Sequence, residues 1–217
     1  IVSAILRAYK TGKGQFVDVG MVDAILAVCE RIMHQHSYAQ TLPHPEGNHH
    51  PLLCPFGMFP AKDGFVTIAA HADAHFPILC RLIDKPEFAT DPRFITVQDR
   101  RANQDVLIAA VSDFTRLRTK QELLRHFGGK VPFSPVYNVR DIVADPHFKA
   151  RDMLPWVPHP GLDHEVQIAG VAVKMTETPG KVRHRAPLLG EHTDEYLKTI
   201  GLGAGDIARL RADKIVA

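Results

Sequence analysis

A mixed α/β fold is what this 217-residue sequence predicts, and three observations carry it. Apolar residues make up 45% of the chain and charged residues 23%, the balance of a packed globular protein rather than a disordered one. Apolar residues recur at helical spacing in several stretches. Short β-branched runs, bounded by Gly, Pro and Asp turns, lie between those stretches. In the C-terminal third, strand and helix alternate in the order of an α/β layer, although the strands are too few for a complete parallel sheet.

Taken in order, Ile1, Ala4, Ile5, Leu6 and Ala8 already follow a helical pattern. Thr11-Gly-Lys-Gly-Gln15 reads as a turn and Phe16-Val-Asp-Val19 as a short strand. Residues 21–33 form an amphipathic helix through Met21, Val22, Ile25, Leu26, Val28, Cys29 and Ile32. Residues 34–55 carry four prolines and five histidines without periodicity and are read as a surface linker. Next, Ala61-Lys-Asp-Gly64 is a hairpin turn leading into a strand at 65–70. Asp73 is placed to cap the following helix, with Pro77 in the first turn, where a missing N–H costs little. Asp91-Pro-Arg-Phe94 is another turn, and 103–114 is helical. Thr119-Lys-Gln-Glu122 is a capping box that opens a helix closed by Gly128-Gly129. A strand at 131–136, an Asn138-capped helix to 144, a strand at 165–169 and two terminal helices, 193–200 and 206–215, complete the chain.

Several function classes are disfavoured. A net charge of +2, with basic residues scattered, gives no nucleic-acid footprint. Cys29, Cys54 and Cys80 are odd in number and set among apolar neighbours, which reads as buried reduced thiols and a reducing, cytoplasmic compartment. No apolar run reaches the roughly 18 to 20 residues of a membrane span. His34-x-His36 and His71-x-x-x-His75 have metal-like spacings, but no Cys or acid completes a set, so no metal is expected. Gly12-x-Gly14 and Gly201-x-Gly203-x-Gly205 read as a turn and a helix stop, and Trp156 as a packing residue. No repeat is found.

Six short segments, in order, resemble one family. They are Thr11-Gly-Lys-Gly-Gln15 with Val17-Asp-Val19; Pro55-Phe-Gly-Met-Phe59 with Ala61-Lys-Asp-Gly64; Asp91-Pro-Arg-Phe94; Pro132-Phe-Ser-Pro-Val136 leading to Asp145-Pro146; Thr178-Pro-Gly180; and Ala186-Pro-Leu-Leu-Gly-Glu-His-Thr193. Together they are similar to the family III CoA-transferases, the CaiB/BaiF family. The resemblance implies a Rossmann-like large domain built from both ends of the subunit, with a small α+β domain inserted, and an interlocked homodimer. Residues 1–50 then fall as the end of the first large-domain segment and a linker, 51–120 as the small domain, and 121–217 as the return to the large domain.

The resemblance also implies acyl-CoA:carboxylate CoA-transfer through an aspartyl-CoA thioester, with acyl-CoA and a carboxylic acid as substrates and no permanently bound cofactor. The family nucleophile is expected upstream of Ile1, which leaves no catalytic residue within this chain and makes it inactive alone. Asp18, Asp23, Asp63 and Glu191 read instead as turn, cap or surface acids. The family's glycine loop corresponds to Gly47-Asn-His-His-Pro51, which makes Gly47, His49 and His50 the candidate substrate-binding residues. Three roles are open to the histidines: lining the acyl pocket, donating to a substrate carboxylate, or decorating a linker. Two alternatives stand beside the transferase: a non-catalytic fragment, and an α-methylacyl-CoA racemase of the same fold. The racemase glutamate falls at Ala72, next to Asp73, which argues against that chemistry.

Overall fold

The computed structural model describes residues 1–45 and 47–217, with Glu46 outside the description. The chain forms two compact units, Ile1–Val136 and Tyr137–Ala217.

The first unit opens with α1 (Val2–Thr11), which ends where Gly12 turns left-handed at φ 67° and returns its N–H to the Ala8 carbonyl. The strand expected at 16–19 is irregular. A strand needs a neighbour for its N–H and C=O groups, and no described segment pairs with this one. The single helix expected over 21–33 is two: α2 (Met21–Val28) and α3 (Glu30–Ala39), broken at Cys29. The second helix overruns the expected linker because residues four apart hold it, with Arg31 donating to Gln35 and His34 stacking on Tyr38 at 4.3 Å. Many apolar side chains of these helices, including Val2, Tyr9, Met21, Val22 and Val28, are exposed.

The core lies further on. β1 (Phe56–Ala61) and β2 (Gly64–Ala69) form the expected hairpin, in antiparallel register from Phe56↔Ala69 to Ala61↔Gly64. Helices α4 (Phe76–Leu82), α5 (Val97–Ala102), α6 (Gln104–Thr115) and α7 (Lys120–Phe127) follow, and β3 (Phe133–Pro135) adds to β2 with Ile68 opposite Phe133. Period-two alternation turns Val66 and Ile68 to the same face, where with Phe59 they meet Leu79, Val111, Phe114, Leu123 and Phe127. The residues after 120 thus share the core of those before it. Cys54, Phe76, Cys80, Phe94 and Leu107 form an adjoining cluster. The mixed α/β organisation holds, and each sheet pairing among the described residues is antiparallel.

Two details differ from expectation. Helix α4 begins after His75 with no side-chain cap, although Pro77 sits in its first turn as expected. Asp73 instead faces the Arg100 guanidinium at 2.5 Å, because a cation only 2% exposed needs a countercharge. Helix α5 was missed. Its capping box is Thr96-x-x-Asp99, with Thr96 Oγ1 accepting from Asp99 N–H and Asp99 Oδ2 accepting from Thr96 N–H, an Asp doing what Glu122 does at Thr119.

In the second unit, Asn138 caps α8 (Val139–Ala144) and Asp145 caps α9 (Pro146–Ala150). The strand expected at 165–169 shrinks to β5 (Val166–Gln167), since its partner β4 (Trp156–Val157) offers only two facing residues. Trp156 is not buried packing: the residue is 60% exposed. The terminal helices are α10 (Thr193–Thr199) and α11 (Ala204–Ala212), joined through Gly201 at φ 89°. Among the described residues, no helix is long and apolar enough to cross a membrane.

Two outcomes follow from this packing. Phe127→Ala removes a wholly buried ring from the centre of the first unit and should cost about 3–5 kcal/mol, read as a lowered urea midpoint. Burial pushes the Cys54 and Cys80 thiols up to about 12 and about 11, so both should resist thiol reagents at pH 8 until guanidinium unfolds the protein. Stoichiometric labelling of either in the native state would contradict their placement.

Candidate functional site

Residues 48–50 run antiparallel beside the start of β1. Met58 N–H donates to the Asn48 carbonyl and His50 N–H to the Phe56 carbonyl, each at 2.8 Å, and His49 lies opposite Gly57. Two of the prolines left in the linker reading, Pro51 and Pro55, flank the return of the chain into β1. Gly47 starts the segment at φ 69°, a left-handed conformation that side chains disfavour. Gly57 is required for a different reason: a Cβ there would fall on the His49 ring and the Asn48 carbonyl oxygen.

Adjacent residues on an extended segment face opposite ways, and the two histidines do so. His49 packs edge-on against the buried Phe59 ring at 5.1 Å, and its Nδ1 is buried with no hydrogen-bond partner. His50 lies flat on Phe56 at 4.9 Å, and Phe56 lies flat on His71 at 5.4 Å, a three-ring stack with interplanar angles of 11° and 8°. The Leu52 N–H donates to His50 Nδ1 at 3.1 Å.

Two consecutive arginines of α5 fix the ends of this stack. Arg101 Nε donates to the Pro51 carbonyl at 2.6 Å. Arg100 reaches the His71 carbonyl at 2.9 Å, Asp73, and the Phe94 and Ile95 carbonyls at 2.9 and 3.0 Å, with its guanidinium 4.7 Å from the Phe76 ring centre. Sequence reading missed both arginines. The signal available was Thr96-x-x-Asp99, which starts the helix that carries them. His71, considered only for its spacing to His75, ends β2 and joins the stack.

Every histidine here is held below the usual imidazole range. Burial does this for His49. For His50 burial comes first, followed by the charges of Arg31, His71 and Arg101, and for His71 burial is followed by Arg100 and His75. The neutral rings are thereby favoured near pH 7, each with one donor and one acceptor nitrogen.

The acids set aside in the sequence have structural surroundings. Asp63 Oδ1 accepts from the Lys120 N–H at 2.8 Å and ties the hairpin turn to α7. Asp23 lies in the first turn of α2, and Asp18 is exposed in the irregular segment before it. Glu191 takes both arms of Arg185, at 2.8 and 2.6 Å, and the Leu188 N–H at 2.7 Å, so that the Arg185 hydrogen bonds hold its carboxyl below the usual range. At the racemase position, the Ala72 carbonyl accepts from the His75 and Phe76 N–H groups.

The model of CoA-transferase family III matches residues 1–193 of the chain. The chain belongs to that family. A succinyl-CoA:mesaconate CoA-transferase of Haloarcula hispanica is 41% identical over 94% of this chain and 51% of its own length. A succinyl-CoA–D-citramalate CoA-transferase of Chloroflexus aurantiacus is 33% identical over 98% of the chain and 54% of its own. Among solved structures, a CaiB/BaiF family protein from Brucella suis superposes with a TM-score of 0.73 at 29% identity, covering 92% of this chain and 51% of that one. The chain spans about half the length of the curated CoA-transferases it matches.

The crossing at Gly57 gives a direct test of the site's geometry. Gly57→Ala should displace residues 48–50 from β1, lower the melting temperature and expose the backbone amides of His50 and Met58 to faster hydrogen exchange. Unchanged protection at both amides would contradict the close crossing.

Proposed function

We propose that the protein containing this chain is an acyl-CoA:carboxylate CoA-transferase acting on short dicarboxylates. The observation that supports this most is the 41% identity, over 94% of the chain, to a succinyl-CoA:mesaconate CoA-transferase. The relative named for D-citramalate also takes a dicarboxylate.

In this reading an aspartate carboxylate attacks the donor thioester carbonyl and expels CoA thiolate, leaving a mixed anhydride. The thiolate then attacks the aspartyl carbonyl, forms the aspartyl-CoA thioester and releases the donor acid. The acceptor carboxylate reverses the two steps and regenerates the aspartate. A carboxylate suits this work because its acyl derivatives stay activated, so that the thioester energy is conserved rather than lost to water. The nucleophile is taken to lie upstream of Ile1, as the family resemblance implies, so that this chain would supply binding and water exclusion. Coenzyme A thioester is substrate, not resident cofactor.

Domain roles follow the same reading. Residues 51–120 are taken as the inserted small domain, with residues 121–136 of the following segment packing into its core and Gly47, His49 and His50 at its entry. Exposed apolar faces on α1 and α2 support their covering by the rest of a large domain and by a second subunit. Free Cys29, Cys54 and Cys80 support a reducing compartment. Against racemase chemistry stand Ala72, which has no ionisable group, and Asp73, whose carboxylate is engaged by Arg100.

The full-length enzyme should transfer CoA from succinyl-CoA to mesaconate or citramalate with ping-pong kinetics and be inactivated by hydroxylamine in the presence of the donor. Residues 1–217 alone should transfer none. Solvent deuterium entering the α-carbon of a methyl-branched acyl-CoA, without CoA exchange, would replace this reading with the racemase.

A further inference from the structure

Two backbone hydrogen bonds, Met58 N–H to the Asn48 carbonyl and His50 N–H to the Phe56 carbonyl, tie residues 48–50 to β1, and the rings of His49 and His50 add their packing on Phe59 and Phe56. Neither ring accommodates a second proton where it lies. A neutral imidazole carries one N–H, whereas the cation carries one on each nitrogen. Whichever nitrogen of His49 is protonated first, its cation therefore places an N–H at Nδ1, which is buried without a partner beside Gly57. In His50 the conflict is direct, because Nδ1 accepts from the Leu52 N–H at 3.1 Å and a proton there would set two donors face to face.

We propose that the pairing of residues 48–50 with β1 is an acid-released latch, in which His49 and His50 each take up a proton as the segment leaves the hairpin. The surrounding charge acts in the same direction. Among the described residues, Arg31 of α3, Arg101 of α5 and His71 at the end of β2 disfavour a cation at His50, while burial does so at His49. His71 is likewise disfavoured as a cation by burial, Arg100 and His75, and the acid nearby, Asp73, is engaged by Arg100. The Phe56 face attracts a cation, but it cannot restore the bond to Leu52. Both imidazoles of the segment are held below their ordinary value of about 6.5 while docked. The docked state is therefore fully favoured above that value and loses its advantage as pH falls from there toward the docked values. Groups that do not titrate near neutrality bound the released stretch: Gly47, left-handed at φ 69°, gives the hinge, and Arg101 Nε keeps the Pro51 carbonyl at 2.6 Å. His71 stays in place, since Arg100 holds its carbonyl at 2.9 Å.

Hydrogen exchange of the full-length protein, read at single amides by mass spectrometry between about pH 7.5 and pH 5.5, tests this, with protection factors removing the intrinsic pH dependence of exchange. Protection at the His50 and Met58 amides should fall about tenfold or more over that range, the upper limit being about tenfold per pH unit for each proton gained. The Ala69 amide, bonded to the Pro132 carbonyl in the same hairpin, should keep its protection, and a return to the starting pH should restore the other two. His50→Asn puts a neutral acceptor near the Nδ1 position, and His49→Met fills the ring's space without a titrating group. The double variant should stay protected in acid. Exchange at the imidazole Cε1 positions of wild type reads each histidine without any substitution: His49 and His50 should titrate below the ordinary range, over the same pH interval in which the amides lose protection. Protection that is flat with pH, that falls in step with Ala69, or that still falls in the double variant overturns the proposal, as does ordinary titration of both histidines. The latch is read on the segment itself, so a protein that moves no CoA would sink the transferase reading and leave this result standing.

Discussion

Much of the first unit hangs on one buried cation. Arg100 is nearly inaccessible to water, and its two Nη groups donate to three backbone carbonyls and one carboxylate drawn from two loops that are distant in sequence, while its Nε is buried without a partner. A charge placed there without those partners would be prohibitive, so folding must bring the turn at 94–95 and the end of β2 together around it. The aromatic face of Phe76 closes the remaining side. Because His71 is one of the residues held, the same interaction sets where the three-ring stack ends. Stability and the geometry of the stack are thus coupled through one buried side chain.

Local start signals were the most legible part of the sequence. Thr119 with Glu122 and the Asn138 cap each specify a helix start through hydrogen bonds between residues two or three apart, so a short window contains the whole cause. The 61–64 turn is of the same kind. Thr96 with Asp99 uses identical physics with a shorter acid. What was illegible depends on partners far along the chain. Nothing near residues 16–19 says whether a neighbouring strand exists, and nothing near Asp73 announces a guanidinium that arrives 27 residues later.

The same distinction divides the site. Gly47, His49 and His50 could be picked out by family resemblance, but that they face opposite ways follows only from the pairing of 48–50 with β1, which sequence alone left as a wandering linker. Arg101 is 50 residues from the carbonyl it holds. The family itself was legible because its six motifs are short and ordered. Their structural roles differ widely, from the Asp63 anchor of the hairpin turn to the Arg185–Glu191 clamp near the C-terminus.

The bridge at Gly57 carries a consequence for how this segment can vary. Which imidazole packs on Phe59 and which lies on Phe56 is encoded by parity along the backbone, not by any property of the two identical side chains. Inserting or deleting one residue between His50 and Phe56 would leave both histidines present and yet move the segment out of phase with β1. Length, more than composition, is therefore the quantity this short stretch must conserve.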